Sequence, residues 1–317
     1  MLINVLLFAF GFLLLIKGGD WFVDAASAIA HRFNMPELLI GATVVSIGTT
    51  LPEVMVSAQG ALVGSGAIAF GNAVGSIICN ASLIAAITLL VRPAPVEKKT
   101  LILPTAAFFI AAAFYCFNAY VFGRFSRMTG ITLLAMFVVY MLVTVYQMKA
   151  SPVKSQEEPG DAPQTSFAHD AVMLVVGAAV IAVGARLLVD NAQVIAAALG
   201  VPESVIALTL VALGTSLPEL VTAITSLIKG LGALSLGNII GANLFNLVLV
   251  SGTATAISPF DLSSASATSL VLDIPLMLGV MLIMTLPPLI TGKLRRWQGA
   301  ALLCAYAGYC VFQFFVA

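Results

Sequence analysis

Gly48-Thr49-Thr50-Leu51-Pro52-Glu53 is answered 166 residues later by Gly214-Thr215-Ser216-Leu217-Pro218-Glu219. Each copy places a carboxylate, a proline, a glycine and two hydroxyls near the middle of an apolar run of membrane-spanning length. A charged side chain at the centre of a bilayer costs about 2.5–3.5 kcal/mol on the insertion scale, so intramembrane acids mark transport routes more often than packing. Two of them at matched places in one chain point to a shared task.

The surrounding chain has the composition of a membrane protein. Of 317 residues, 61% are hydrophobic and 9% charged, against about 25% charged in soluble domains. Mean hydropathy is +1.09. Net charge is zero, which gives no footing for nucleic acid. Cys79, Cys116, Cys304 and Cys310 lie inside apolar runs without metal-type spacing and read as small buried hydrophobes. No basic stretch precedes the first apolar run, so that run is read as a structural span rather than a cleaved signal.

Apolar segments fall at 3–28, 37–63, 67–91, 100–120, 128–148, 170–198, 203–228, 232–257, 267–291 and 297–316. The expected fold is therefore all-α, with ten transmembrane helices. Residues 149–169 hold Pro152, Pro159, Gly160 and Pro163 with several acids; they read as a flexible linker between a first five-helix half, 1–148, and a second, 170–317.

The halves repeat. At a constant shift of 166, Gly11 matches Gly177, Asp24 matches Asp190, Glu53 matches Glu219, Gly71-Asn72 matches Gly237-Asn238 and Asn80 matches Asn246. At a shift of 169, Gly123 matches Gly292. An odd number of spans per repeat inverts one half against the other, the plan of many secondary transporters. With the N-terminus outside, the inner connections hold Arg32, Arg92, Lys98, Lys99, Lys149, Lys154, Lys229, Lys293, Arg295 and Arg296, and the outer ones only Arg124 and Arg127. The positive-inside rule then puts both termini outside and the linker in the cytoplasm of a multi-pass protein of the cell (inner) membrane.

A proline inside a helix removes a donor for the carbonyl four residues earlier. Pro52 and Pro218 so free the carbonyls of Gly48 and Gly214, and helices 2 and 7 are expected to be broken there. Freed carbonyls, hydroxyls and carboxylates are hard oxygen ligands suited to Ca2+, Na+ or Mg2+; zinc or copper would want His and thiolate. Thr215 and Ser216 precede Glu219 by four and three residues and share its helix face. Asn72, Ser76 and Asn80 line one face of the third span, and Asn238, Ala242 and Asn246 do so in the eighth. Glycine or proline alone is a packing or kink residue, and a lone glutamate a helix–helix partner; the duplicated set sets Glu53, Glu219, Asn80 and Asn246 apart as site residues. Ser46 is a further candidate. Asn72 and Asn238 read as helix-end or break residues. Lys17, Asp20 and Asp24 in the first span, and Arg186 and Asp190 in the sixth, are expected to pair among themselves or reach the interface; Asp273, which the first half does not match, reads as structural.

The motifs GTTLPE with GNAVGSIICN, and GTSLPE with GNIIGANLFN, resemble the two α-repeats of the Ca2+/cation antiporter superfamily, within about 40–83 and 206–249. The nearest likeness is to prokaryotic Na+/Ca2+ exchangers and covers nearly the whole chain. It implies exchange of Ca2+ for Na+ by alternating access, with ions held between spans 2, 3, 7 and 8 while spans 1 and 6 slide. It further implies Glu53 and Glu219 as shared carboxylate ligands and backbone carbonyls of Thr49 and Thr215 on Ca2+. Thr50 and Ser216 supply hydroxyls, Ser46 and Ala212 carbonyls for Na+, Ser76 a hydroxyl and Asn80 a central amide. The chain departs from the archaeal-type pattern at Asn246, where that pattern has Asp, and at Ala242, where it has Ser. The loss of a hydroxyl at Ala242 keeps a Ca2+/H+ antiporter using the same glutamates as an alternative; a passive cation channel is a third reading. No nucleophile–base set or nucleotide loop supports an enzyme, no cofactor is expected beyond the transported ions, and the partners are the ions and the bilayer, with no obligate protein partner.

Overall fold

The structure, a computed structural model, describes residues 2–64, 66–93, 95–150, 165–200, 212–262 and 269–316. Most of the expected linker, 151–164, and the expected start of the seventh span, 203–211, lie outside the described residues.

The described residues are almost entirely helical. We number α1 (Leu2–Arg32), α2 (Glu37–Leu62), α3 (Ala69–Val91), α4 (Lys98–Phe122), α5 (Arg127–Met148), α6 (Phe167–Ala198), α7 (Ala212–Thr215), α8 (Leu217–Ile228), α9 (Gly232–Ile257), α10 (Leu270–Thr291) and α11 (Arg296–Val316). Among the described residues eight helices are long and apolar enough to cross a membrane. The other two expected spans fall on α7 with α8 and on the 21-residue α11. Large apolar side chains such as Leu13, Val138, Val175 and Ile290 are exposed, as a bilayer-facing surface requires.

Glycines set the closest approaches. α1 and α6 lie antiparallel: a Cβ on Gly11 would stand 2.8 Å from the Gly184 carbonyl oxygen, and one on Gly177 2.8 Å from the Phe22 nitrogen. Asn4 donates to Asn191 at one end of this pair (3.1 Å), and Arg32 meets Asp170 at the other (2.9 Å). Small residues allow such backbone contact where no hydrophobic force drives helices together. α2 and α9 approach as closely, with a Cβ on Gly237 falling 2.1 Å from the Leu38 carbonyl oxygen. The matched Gly123 (φ 61) and Gly292 (φ 70) both end their helices in the left-handed conformation, which glycine adopts without steric penalty.

Short backbone pairings tie connections from the two halves. Two-residue strands β1 (Arg124–Phe125) and β2 (Phe260–Asp261) run antiparallel, with Arg124 opposite Asp261. Pro95 bridges Lys293, and the Val96 amide donates to the Gly292 carbonyl (2.9 Å).

Three helices next to the repeated motifs carry π-turns, at Gly41–Val45, Cys79–Ile84 and Asn246–Val250. A π-turn displaces a carbonyl from its usual donor, and here a serine supplies one each time. Ser46 Oγ donates to the Gly41 carbonyl (2.8 Å), Ser251 Oγ to that of Asn246 (3.0 Å), and Ser82 Oγ to that of Ile78. Tyr140 adds a donor to the Ala42 carbonyl (3.0 Å).

Candidate functional site

The two repeated hexapeptides take different local forms. Pro52 sits within the continuous helix Ser46–Leu62, and the irregularity of α2 lies a turn earlier, in its π-turn. The break expected at Pro52 is thus absent. One lost hydrogen bond is outweighed by the packing of the buried Thr49, Thr50 and Glu53 around it. In the second copy the helix does stop. α7 ends at Thr215, Ser216 takes φ −88 and ψ 3, and α8 restarts with Pro218 in its first turn. Proline is well placed there, since its missing donor is unpaired in any first turn. Thr215 and Ser216 therefore stand at a joint rather than on one helix face with Glu219.

Glu53 and Glu219 are both wholly buried, and neither takes part in an ion pair with the described basic side chains. Both carboxylate oxygens of Glu53, Oε2 of Glu219, both amide atoms of Asn80, Oδ1 of Asn246 and Oγ of Ser216 are buried without a hydrogen-bond partner. The helices interlock around them. α2 packs on α8 and α9, the π-turn of Asn80 touches α8 and α9, and the π-turn of Asn246 touches α2 and α3. Thr50 Oγ1 reaches Glu219 Oε1 across the two halves at 3.5 Å. Ser76 is 3% exposed on α3. Ala212 is the first described residue of α7, and its side chain lies outside the described residues.

Unpaired buried polar groups each cost about 1–3 kcal/mol, and uncompensated charges more. A set of acceptor oxygens around two carboxylates is what a hard cation offsets. Among the described residues no three His, Cys, Asp or Glu side chains gather as a metal group; the acceptors here are two acids joined by amides and hydroxyls.

Asn72 and Asn238 are interior helix residues, contrary to the helix-end reading. Asn72 Nδ2 donates to the Glu53 carbonyl (3.2 Å) and to Ser57 Oγ (2.9 Å). Asn238 is fully buried and accepts at Oδ1 from Thr49 (3.2 Å); Ser46 Oγ, whose shortest bond is to the Gly41 carbonyl, also lies 3.0 Å from the Asn238 carbonyl oxygen and 3.3 Å from its Oδ1. The repeat itself was the signal for Asn238, since it pairs Asn238 with Asn72. The cysteines are free thiols; Cys79 is buried, but Cys304 is exposed, which corrects its reading as a buried residue.

The charges on α1 and α6 pair unequally. Arg186 and Asp190 pair within α6 at 3.6 Å, as expected. Asp24 and Asp20 instead bind Lys229 at the end of α8, at 2.8 and 3.5 Å. Burial pulls the Lys229 ammonium down, but hydrogen bonding and attraction from Asp24, with Asp20, outweigh it and raise its pKa. Above that pair, a Cβ on Gly19 would lie 2.8 Å from Val221 and 3.0 Å from Thr225. Met55, the repeat match of Val221, is 63% exposed. α1 thus covers α8 at the Lys229 end, and α6 leaves the matched part of α2 bare.

A profile of the sodium/calcium exchanger protein family matches residues 3–146 and again 169–315. The chain belongs to the sodium/calcium exchanger family. It is 31% identical to the sodium/calcium exchanger MaX1 of Methanosarcina acetivorans over 350 residues, 99% of each chain. It is 36% identical to the putative antiporter CaxA of Alkalimonas amylolytica, over 98% of each. The solved sodium-calcium exchanger NCX_Mj, soaked with Na+ and Ca2+, superposes with a TM-score of 0.80 at 31% identity, covering 100% of this chain and 99% of that one. The protein is accordingly a helical, multi-pass membrane transporter and not an enzyme.

Proposed function

We propose that this protein exchanges Ca2+ for Na+ across the cell membrane by alternating access. The observation that carries the reading is the pair of fully buried carboxylates without an ion pair, Glu53 and Glu219, beside the unpartnered polar atoms of Asn80, Asn246 and Ser216. Kinship with MaX1 and NCX_Mj supports the same ions. Glu53, Glu219, Asn80 and Asn246 are the central ligands, Thr50, Ser216 and Ser76 the hydroxyl ligands, and Thr49, Thr215, Ser46 and Ala212 contribute carbonyls. Residues 1–148 and 170–317 act as inverted halves joined by a cytoplasmic linker, 149–169, with both termini outside. On that orientation the Lys229 end is cytoplasmic, and the unequal cover of α8 and α2 supports an outward-facing arrangement.

Radiolabelled Ca2+ uptake into proteoliposomes tests the reading. An outward Na+ gradient should drive uptake, and a pH gradient alone should not. Uptake driven only by the pH gradient would replace Na+ with H+ as the counter-ion. Uptake indifferent to either gradient would indicate a passive pore.

A further inference from the structure

The halves differ in a way that the shared ligand set does not use. Below Glu219, α8 carries Thr222 and Ser226, three and seven residues on. Both are 0% exposed, and neither hydroxyl has a hydrogen-bond partner. At 100° per residue they fall within about 60° of Glu219 on one helix face, roughly 4.5 and 10.5 Å farther along the axis. That face lies beside the one that α1 covers through Val221 and Thr225. The repeat matches of Thr222 and Ser226 on α2 are Val56 and Gly60. The second half therefore has two unpartnered buried hydroxyls leading from its carboxylate toward the Lys229 end, whereas the buried hydroxyl below Glu53 on α2, Ser57, already accepts from Asn72 Nδ2 (2.9 Å).

A membrane helix gains nothing from a buried hydroxyl left unpaired, when a Ser or Thr hydroxyl can ordinarily donate to the carbonyl a turn back. A dehydrating cation takes such oxygens as ligands in place of water. We propose that Thr222 and Ser226 are ligating steps for Na+ and Ca2+ on the leg of the route between Glu219 and the Lys229 end, used when α1 moves off α8. They ligate the passing ion on one side only. The inference rests on the exchange reading above and adds a sidedness that the reading does not contain.

The test uses full-length protein in vesicles of a single orientation, with Na+-driven Ca2+ uptake measured first for the unaltered chain. In Thr222→Val/Ser226→Ala, the Na+ and Ca2+ concentrations for half-maximal exchange should rise about tenfold at the Lys229 side, as expected for lost ligating oxygens, and stay unchanged at the other. Thr222→Ser, which keeps the hydroxyl, should behave as the unaltered chain. Should the double variant fail to fold, Val56→Thr supplies the reciprocal test and should lower the half-maximal concentrations at the opposite side only. Equal changes on both sides, or none on either, overturn the inference while leaving exchange intact. Absence of Na+-driven uptake in the unaltered chain overturns the exchange reading and this inference with it.

Discussion

At the residue scale, the two glutamates are costly to the protein without cations and valuable with them. Glu53→Gln or Glu219→Gln removes one buried charge, so in cation-free detergent each variant should melt at a higher temperature than the unaltered chain. Ca2+ should then add less to that temperature, because a ligand stabilises only as far as it binds. A loss of about 1.5–3 kcal/mol of charge-assisted coordination corresponds to Ca2+ binding weakened roughly 10- to 150-fold. Thermal melts with and without Ca2+ check both signs, and a lower melting temperature in cation-free detergent would contradict the burial argument. Ala242 is fully buried and brings no oxygen; Ala242→Ser should lower the Na+ concentration needed for exchange, read from the Na+ dependence of Ca2+ efflux. Glu53 and Glu219 were legible in the sequence because each is a polar side chain in an apolar span with a partner 166 positions away. The bond from Thr49 to Asn238 (3.2 Å) was not, since a contact between helices from opposite halves leaves no mark in either repeat.

At the element scale, helix positions followed from hydropathy, and the matched Gly123 and Gly292 proved to be helix ends. The π-turns did not. One extra residue in a turn changes no composition, and the serines that satisfy the displaced carbonyls look like any other intramembrane serine. Ser251→Ala should leave the Asn246 carbonyl with only the Ser251 backbone N–H in place of two donors and destabilise the protein by about 0.5–1.5 kcal/mol, measured by thermal unfolding in detergent. The different fates of Pro52 and Pro218 were also beyond the sequence, because both hexapeptides are nearly identical and only packing keeps the first helix continuous. The Lys229 pair with Asp20 and Asp24 lacks a counterpart, Val63 being the match of Lys229. Lys229→Ala should loosen α1 from α8. A cysteine placed at Thr225 should then react faster with a polar thiol reagent, and an unchanged rate would show that the glycine packing alone holds the seal. Because its acids raise the Lys229 pKa, the ammonium stays charged up through the usual lysine range, so this seal should not respond to pH between about 6 and 8.

At the scale of the whole molecule, the antiparallel α1–α6 pair lies against a bundle in which α2, α3, α8 and α9 enclose the acids. The sequence marked this bundle because the same polar pattern occurs twice in it, 166 residues apart. What duplication could not supply is the inequality of the two ends, which depends on where α1 and α6 come to rest. Two carboxylates balance one Ca2+ or two Na+, so a third Na+ would carry net charge and make exchange sensitive to membrane potential. The most direct measurement is the Ca2+ binding isotherm of the purified protein at increasing Na+. The account predicts that Na+ shifts the isotherm to higher Ca2+ without lowering its plateau, and that Glu53→Gln with Glu219→Gln abolishes binding. Ca2+ binding that ignores Na+, or that survives in the double variant, would contradict it.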